Sequence, residues 1–299
     1  MGVFRAIMGG LIFINFSMIS VYFHDWYSEK GYYPAWLGAL NIESNVNLVH
    51  DRSIHVPRIN LMYGITDYNW LMFFNVVVLF AALLTCLGLF TRIASIVLAI
   101  GIISFHHRNS SILHGGDTVV RIMAMYIAIA PSGAAFSLDR LIAVRRGLAP
   151  AIPPPVSLWP QRLIAYNCSL IYFTTTWAKW FGGLWKTGVA TWYPARLHEF
   201  DRFPVPAFFN HFPMVYVSTY GTLAVEFALA TLVWFKPLRK WVLLSGLMLH
   251  GYIDYSMNIP LFGYLMVTTY IAFYEGEEIV AWWERMKTWF AKKALAEAA

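Results

Sequence analysis

A lysine flanked by tryptophans is the first residue of this 299-residue chain that could carry out chemistry. Lys179 directly follows the apolar run 163–178, and Trp177, Trp180 and Trp185 surround it in the sequence. A lysine that is partly removed from water can act as a general base. The alternative is a lysine that extends its charged end out of an aromatic belt at a membrane surface. Both interpretations place Lys179 at the end of an apolar helix.

Two more ionisable residues lie inside apolar runs. Glu226 falls within the run 214–235, and His250 falls within the run 241–253. Because an unpaired carboxylate is costly among apolar helices, we expect Glu226 to be neutral or paired across helices, with serine and threonine among the candidate partners. A functional role is the default hypothesis for such residues, and a hydrogen bond that only joins two helices is the alternative.

A polar segment at residues 106–121 groups further candidates. Its sequence is HHRNSSILHGGDTVVR, in which the two glycines predict a turn. Asp117 is expected to cap the next helix and to pair with Arg121 one helical turn later. This pair could simply stabilise the entry of the helix. The functional alternative is that Arg108, Asn109 and Arg121 line a polar pocket, since a deep arginine needs a partner or a cavity.

The composition indicates that membrane-spanning helices position these residues. Hydrophobic residues make up 59% of the chain and charged residues 13%, about half the roughly 25% of a soluble globular protein. Such a composition excludes a cytosolic enzyme, a disordered chain and a disulfide-stapled secreted module. Cys86 and Cys168 both lie in apolar runs, so we expect buried, free thiols.

The predicted fold class is all-α, a polytopic helical membrane bundle of about eight spans. A helix needs about 20 mostly apolar residues to cross the hydrocarbon core, and shorter runs can be completed by interfacial residues. The predicted spans are 6–23, which we expect to stay uncleaved, 70–90, 93–105, 118–136, 163–178, 214–235, 241–253 and 259–274. Short connections at 91–92 and 236–240 predict that spans two and three, and spans six and seven, form hairpins.

The C-terminal residues predict one further helix outside the spans. Within the stretch 277–296, apolar residues recur at helical spacing on one face, namely Ile279, Trp282, Trp283, Met286 and Phe290. This pattern is typical of an amphipathic helix on the inner leaflet, and a helix packed on a partner protein is the alternative. We therefore divide the chain into a transmembrane domain, 1–276, and a cytoplasmic helix, 277–299.

The distribution of basic residues predicts the orientation. With eight spans, both termini share one side, which holds thirteen of the 22 lysines and arginines, while the opposite loops hold eight. The positive-inside rule then places both termini in the cytoplasm and predicts a multi-pass protein of the inner membrane. The long loops 24–69 and 179–212 face outward.

All nine histidines fall on the outward side in this topology. Histidine is a proton carrier and a metal ligand, but the short cytoplasmic loops favour arginine and leave histidine the other side by default. The spacing does not support a metal site, because no HxxH-type pattern occurs and His106 and His107 would point apart on a helix.

Several motifs in a shared order resemble the HTTM (horizontally transferred transmembrane) domain family, the bacterial relatives of vitamin K-dependent gamma-carboxylase. The resemblance covers nearly the whole chain. The matching residues are Phe4-Arg5, Gly31-Tyr-Tyr-Pro34, Arg108-Asn109, Gly115-Gly116-Asp117, Arg121, Pro131-Ser-Gly133, Ser137-Leu-Asp139, Lys179, Trp185, Gly188, Glu226, Arg239 and His250.

The resemblance implies roles for individual residues. The carboxylase deprotonates a reduced vitamin K on the lumenal side and uses the resulting base to remove a glutamate γ-proton. Lys179 falls in the segment that carries its base, and His250 matches a family histidine. The resemblance therefore implies Lys179 and His250 as catalytic candidates, and a quinone as the candidate cofactor. The residues expected to bind that cofactor are Arg108, Asn109, Arg121 and Glu226.

Three departures from the carboxylase pattern argue against glutamate carboxylation. Ser110 stands where the carboxylase has a histidine, Trp180 stands where it has a second lysine, and its large extramembrane domain has no counterpart here. The leading hypothesis is therefore a non-catalytic subunit that helps a membrane or secreted partner protein mature or assemble. A membrane-embedded enzyme that uses a quinone or another lipid-soluble cofactor is the alternative. A solute transporter is less favoured because no internal repeat is found, and no nucleic-acid partner is expected.

Overall fold

Helices and turns make up the structure of this chain, a computed structural model that describes residues 1–38, 40 and 60–297. Within those residues the β-type pairing is a single isolated bridge, between Asp201 and Met257. The predicted all-α class is confirmed. Several residues of the loop 24–69, which is predicted to face outward, lie outside the described residues, including His50, Arg52, His55 and Arg58.

The helices follow one another with short connections. We number them α1 Gly2–Val21, α2 Phe23–Tyr27, α3 Tyr68–Leu87, α4 Thr91–Arg108, α5 Gly115–Ile129, α6 Leu138–Arg145, α7 Trp159–Phe181, α8 Gly183–Lys186, α9 Phe212–Ala230, α10 Lys236–Ser256, α11 Phe262–Thr269 and α12 Gly276–Glu297. Short 3-10 helices extend α9 at Leu232–Trp234 and α11 at Tyr270–Phe273, and four more occupy the 190–210 segment.

Each of the eight predicted spans overlaps one of these helices, although α11 with its 3-10 extension, Phe262–Phe273, is shorter than a straight span needs. Two helices, α1 and α3, are long and apolar enough to cross a membrane by length and composition alone. The hairpins α3–α4 and α9–α10 form as predicted. The fourth predicted span was too long at its C-terminal end: α5 ends at Ile129 because Pro131 cannot continue a helix and favours extended backbone at Ala130.

A close approach of backbones joins α1 to α3. A Cβ added to Gly9 would lie 2.7 Å from the Cys86 backbone nitrogen and 2.9 Å from its Cα. Small residues at such contacts allow helices in an apolar bundle to pack at short range, where van der Waals contact is the main attraction. Both cysteines are free thiols, as predicted, with Cys168 buried and Cys86 half-buried.

Arg5 and Asp139 hold the end of the bundle at which α1, α4 and α10 begin, which we call the basic end. The buried Arg5 guanidinium donates to the carbonyls of Thr85, Cys86 and Phe136, and thereby caps the C-terminal end of α3. Gly88 has φ +70°, and any side chain there would collide with Arg5.

The Asp139 carboxylate caps the N-terminal end of α4. It accepts from the Phe90 nitrogen, the Thr91 nitrogen and the Thr91 hydroxyl, at 2.7–2.8 Å. Burial raises the pKa of Asp139, but these hydrogen bonds and the Arg5 charge outweigh it, so its pKa lies below the ordinary value. The same bonds hold Phe90 in a left-handed conformation that is costly for a non-glycine residue.

Replacement of Gly9 by alanine tests the α1–α3 contact. We expect Gly9→Ala to cost about 1–3 kcal/mol, because the methyl group meets backbone atoms that cannot move aside. The melting temperature of the detergent-purified protein measures this cost. Gly10→Ala is the matched control, since its Cβ would lie 3.6 Å from the Cys86 Sγ, an ordinary contact. Equal melting temperatures for the two variants would contradict this packing.

Candidate functional site

One face of α7 carries the polar residues of the candidate site. Tyr172, Thr175 and Lys179 follow one another at helical spacing i, i+3 and i+7, so they share a face along about 10 Å of helix. This face contacts α9 and α10, with Tyr172 buried, Lys179 half-buried and Thr175 exposed.

Lys179 forms an ion pair with Glu226 of α9. The Lys179 Nζ contacts the Glu226 Oε1, and the Thr175 hydroxyl lies 3.5 Å from the other carboxylate oxygen. Glu226 is 7% exposed, and the Lys179 side chain is 26% exposed. Of the two alternatives for Glu226, neutral or paired across helices, the structure has the pair, with a lysine as the main partner.

The tryptophans near Lys179 do not all contact it. Lys179 Nζ lies 5.2 Å from the centre of the Trp185 ring, within the range of a cation–π interaction. Trp177 and Trp180 instead point away and are both 61% exposed. Of the three tryptophans that lie near Lys179 in the sequence, Trp185 is the one whose ring lies beside the ammonium, because positions 177 and 180 of α7 face other directions than position 179.

His250 of α10 belongs to a second, adjoining hydrogen-bond group. Its Nε2 lies 2.7 Å from the Tyr172 hydroxyl, which lies 2.8 Å from the Tyr270 hydroxyl. All three side chains are buried. The Nδ1 of His250 is buried and has no hydrogen-bond partner among the described residues. Tyr172 and Lys179 thus bring the His250 group and the Glu226 ion pair onto the same face of α7.

An apolar groove runs between α7 and α9 beside this polar face. Its volume is about 500 Å³. The lining is mostly aromatic and aliphatic, and comprises Phe173, Thr176, Trp177, Trp180, Tyr220, Leu223, Ala224 and Phe227. A groove of this shape and lining suits a flat, apolar ring rather than a charged solute.

The segment that follows α7 covers this end of the bundle. Gly188 has φ +76° and packs so closely on Tyr216 and Tyr220 that a side chain would collide with their rings. Arg202 forms an ion pair with Asp254 at 2.8 Å, which ties the segment to the end of α10. The loop 179–212, which is predicted to face outward, is therefore packed against the helix ends next to the site.

Arg108 and Asn109 donate hydrogen bonds to the backbone of neighbouring loops. The buried Arg108 guanidinium donates to the carbonyls of Tyr27, Met62 and Ile65 at 3.0–3.1 Å and pairs with Glu29 at 3.1 Å. The Asn109 amide donates to the Trp26 carbonyl at 2.9 Å. These contacts occupy both terminal nitrogens of Arg108 and the Asn109 amide nitrogen, while the buried Arg108 Nε has no hydrogen-bond partner among the described residues. Neither residue contacts the Lys179 group.

The entry of α5 differs from the prediction. The helix begins at Gly115, so His114 is its cap: the His114 Nδ1 accepts from the Gly116 nitrogen, and Asp117 accepts from the His114 nitrogen. Gly115 and Gly116 form the first helical turn rather than a separate turn. Because this capping box occupies the Asp117 carboxylate, the predicted pair with Arg121 is absent, and Arg121 makes no ion pair within the described residues.

The six predicted site residues therefore form two groups, and Arg121 belongs to neither. Lys179, Glu226 and His250 lie around one face of α7, while Arg108 and Asn109 hold the loops at 26–29 and 62–65. Within the described residues, no group of three or more His, Cys, Asp or Glu side chains is arranged to hold a metal ion.

Sequence reasoning missed Tyr172 and Tyr270. The signal for Tyr172 was its spacing from Lys179, seven positions along one helix. Tyr270 had no comparable signal, because only the fold brings the 3-10 helix Tyr270–Phe273 against α7.

A family model, the HTTM domain, matches residues 37–277. The chain belongs to the HTTM domain family. The match includes every helix of the candidate site, from α4 to α11, and so confirms the family that the motifs indicated. No curated protein and no solved structure significantly matches this HTTM chain.

Gly246→Ala tests the hydrogen bond between Tyr172 and Tyr270. A Cβ at Gly246 would collide with the Tyr270 hydroxyl and lie 3.0 Å from Leu229. We expect a loss of about 1–3 kcal/mol in a thermal melt of the purified protein. Adding Tyr270→Phe should recover most of this loss, because it removes the colliding oxygen.

Gly251→Ala on the same helix is the control, since no atom lies within 4 Å of its added Cβ. It should melt at or slightly above the wild-type temperature, because alanine favours helix. A similar loss in both glycine variants would show that the Tyr270 contact is not the cause.

Proposed function

We propose that this HTTM protein crosses the inner membrane eight times, with both termini in the cytoplasm. The helix at each apolar run supports the eight spans, and the excess of lysine and arginine at the basic end supports the orientation. In this arrangement the Lys179 site lies in the outward half of the membrane.

We further propose that this site moves protons to or from a lipid-soluble, quinone-like molecule. The observation that carries this proposal is the placement of the Lys179–Glu226 ion pair and the Tyr172–His250 hydrogen bond on one face of α7, beside an apolar groove. Ionisable groups inside a membrane are costly, and function is the usual reason that they persist.

The residues present fit a quinone. The aromatic lining of the groove would hold the ring, and Tyr172 and Lys179 lie on the neighbouring face of α7. His250 lines a separate cavity between α10 and α11 and is connected to this face through Tyr172. When bound, the quinone would supply redox chemistry and, in its reduced form, an acidic hydroxyl. This arrangement supports Lys179 as a site residue, with Glu226 as the group that holds it and His250 one hydrogen bond further away.

The roles of the chain's own residues follow from their contacts. In the ion pair, the Lys179 ammonium is a proton donor and the Glu226 carboxylate is a proton acceptor. Tyr172 connects His250 to Tyr270 and can pass a proton through its hydroxyl. Trp185 shields one side of Lys179 from water.

A second candidate, the non-catalytic maturation or assembly subunit, has support of its own. The Lys179 ammonium already has a carboxylate partner. Joining α7 to α9 is a sufficient role for an ion pair of this kind. In that case, the chain would assist a partner membrane or secreted protein, and its site would have a structural purpose.

Two substitutions separate these functions. The chain is reconstituted in liposomes with a reduced menaquinone-type quinol in air, and the absorbance of the oxidised quinone is followed, because the quinol must lose protons before oxygen can oxidise it. We expect Lys179→Gln and Tyr172→Phe each to lower the protein-dependent rate about 100-fold or more, as for loss of a general acid or base. Lys186→Gln, an exposed lysine one short helix away, should leave the rate unchanged.

A melting curve of each variant establishes that it is folded. Folded Lys179→Gln and Tyr172→Phe proteins that restore every phenotype of a gene deletion would rule out the enzyme. Copurification of a partner protein with those variants would then support the subunit.

A further inference from the structure

A cleft at the basic end lies between α12 and the rest of the bundle. Its volume is about 890 Å³. Apolar residues of α1 and of the 3-10 helix Tyr270–Phe273 line one wall, among them Ile7 and Ile271, and Trp282 and Ile279 of α12 line the other. This cleft is at the opposite end from the Lys179 site and is independent of the proposed function.

Two ion pairs hold α12 beside α10 and keep this cleft formed. Lys236 lies 3.6 Å from Glu275, and Arg239 lies 3.8 Å from Glu278. The Glu278 carboxylate also accepts from the Glu275 nitrogen at 2.8 Å. The acidic side chain that lines the cleft is therefore already neutralised by a residue of α10.

Two basic residues of the cleft have no such partner. Lys240 and Arg285 both line it and are exposed, and neither forms an ion pair within the described side chains. Lys240 lies 5.4 Å from the centre of the Trp241 ring. This cation–π contact does not neutralise the charge of Lys240. An apolar cleft with two free cations matches a ligand that has an anionic head and apolar chains.

The surface of α12 indicates where that ligand comes from. Trp282, Trp283, Trp289 and Phe290 are each more than half exposed. Tryptophans and basic residues on one surface helix are typical of a helix that lies at the boundary between lipid headgroups and acyl chains. The cleft therefore opens where phospholipids are the most abundant amphiphiles.

We propose that this cleft is a binding site for one anionic phospholipid, with the phosphate between Lys240 and Arg285 and an acyl chain along Ile7 and Ile271. The charge of the two basic residues selects an anionic headgroup over a zwitterionic one. The bound lipid would fill the space between α12 and the bundle and fix the helix at the membrane surface.

Native mass spectrometry of the delipidated full-length protein tests this site. Phosphatidylglycerol or phosphatidylcholine is added back, and the fraction of lipid-bound protein is measured over a concentration series. We expect tighter binding of phosphatidylglycerol. The double variant Lys240→Gln, Arg285→Gln should weaken it about 25-fold, because each basic residue near an anionic surface contributes roughly fivefold.

Arg145→Gln, Arg146→Gln is the matched control, since it removes the same charge from exposed positions on and just after α6. It should leave phosphatidylglycerol binding unchanged. Equal weakening in both double variants would overturn the proposal, as would equal affinity for the two lipids. A copurified protein that occupies the cleft in place of lipid would overturn the proposal as well.

Quenching of tryptophan fluorescence gives a second measurement, in which the wild-type protein alone can contradict the proposal. Brominated phosphatidylglycerol should quench the wild-type protein more strongly than brominated phosphatidylcholine, and Trp282→Phe should remove this difference. Equal quenching by the two lipids in the wild-type protein would contradict a selective site at Trp282.

Discussion

The ion pair between Lys179 and Glu226 is the interaction on which the candidate site depends. A carboxylate that is 7% exposed among apolar helices cannot remain charged without a partner, and Lys179 supplies one from the neighbouring helix. The pair fixes the rotation of α7 relative to α9. That rotation turns Tyr172 towards His250, and it leaves Phe173 and Trp177 to line the apolar groove.

The two ends of the bundle use ionisable residues differently. At the basic end, Arg5 and Asp139 bond to backbone groups left free at the ends of α3 and α4. The terminal nitrogens of Arg5 and the carboxylate oxygens of Asp139 have backbone partners, so these residues hold the fold. At the Lys179 site, by contrast, the polar side chains of neighbouring helices bind one another. Residues that match the same family therefore divide into those that maintain the helix ends and those that pair side chains across helices.

Much of the fold was predictable, because apolar runs of helix length have few alternative structures. The site was predictable only in part. Glu226 and His250 were found by their cost in an apolar environment, and Lys179 by its place between an apolar run and tryptophans. Their arrangement around one face of α7 depends on the packing of three helices, which spacing does not determine. Asp117 was misjudged because His114, an unusual cap, starts α5 three residues earlier. Arg108 and Asn109 were expected in a pocket, and their backbone partners around Tyr27 and Met62 could not be read from the sequence.

A double-mutant cycle on the ion pair tests the central claim most directly. The free energy of unfolding is measured in detergent for Lys179→Met, Glu226→Leu, the double variant and the wild-type protein. Each single change should cost about 3–5 kcal/mol, because it leaves one ionisable group buried alone, and the double variant should recover most of that loss. Additive losses in the double variant would contradict the account, because they would show that Lys179 and Glu226 do not stabilise each other.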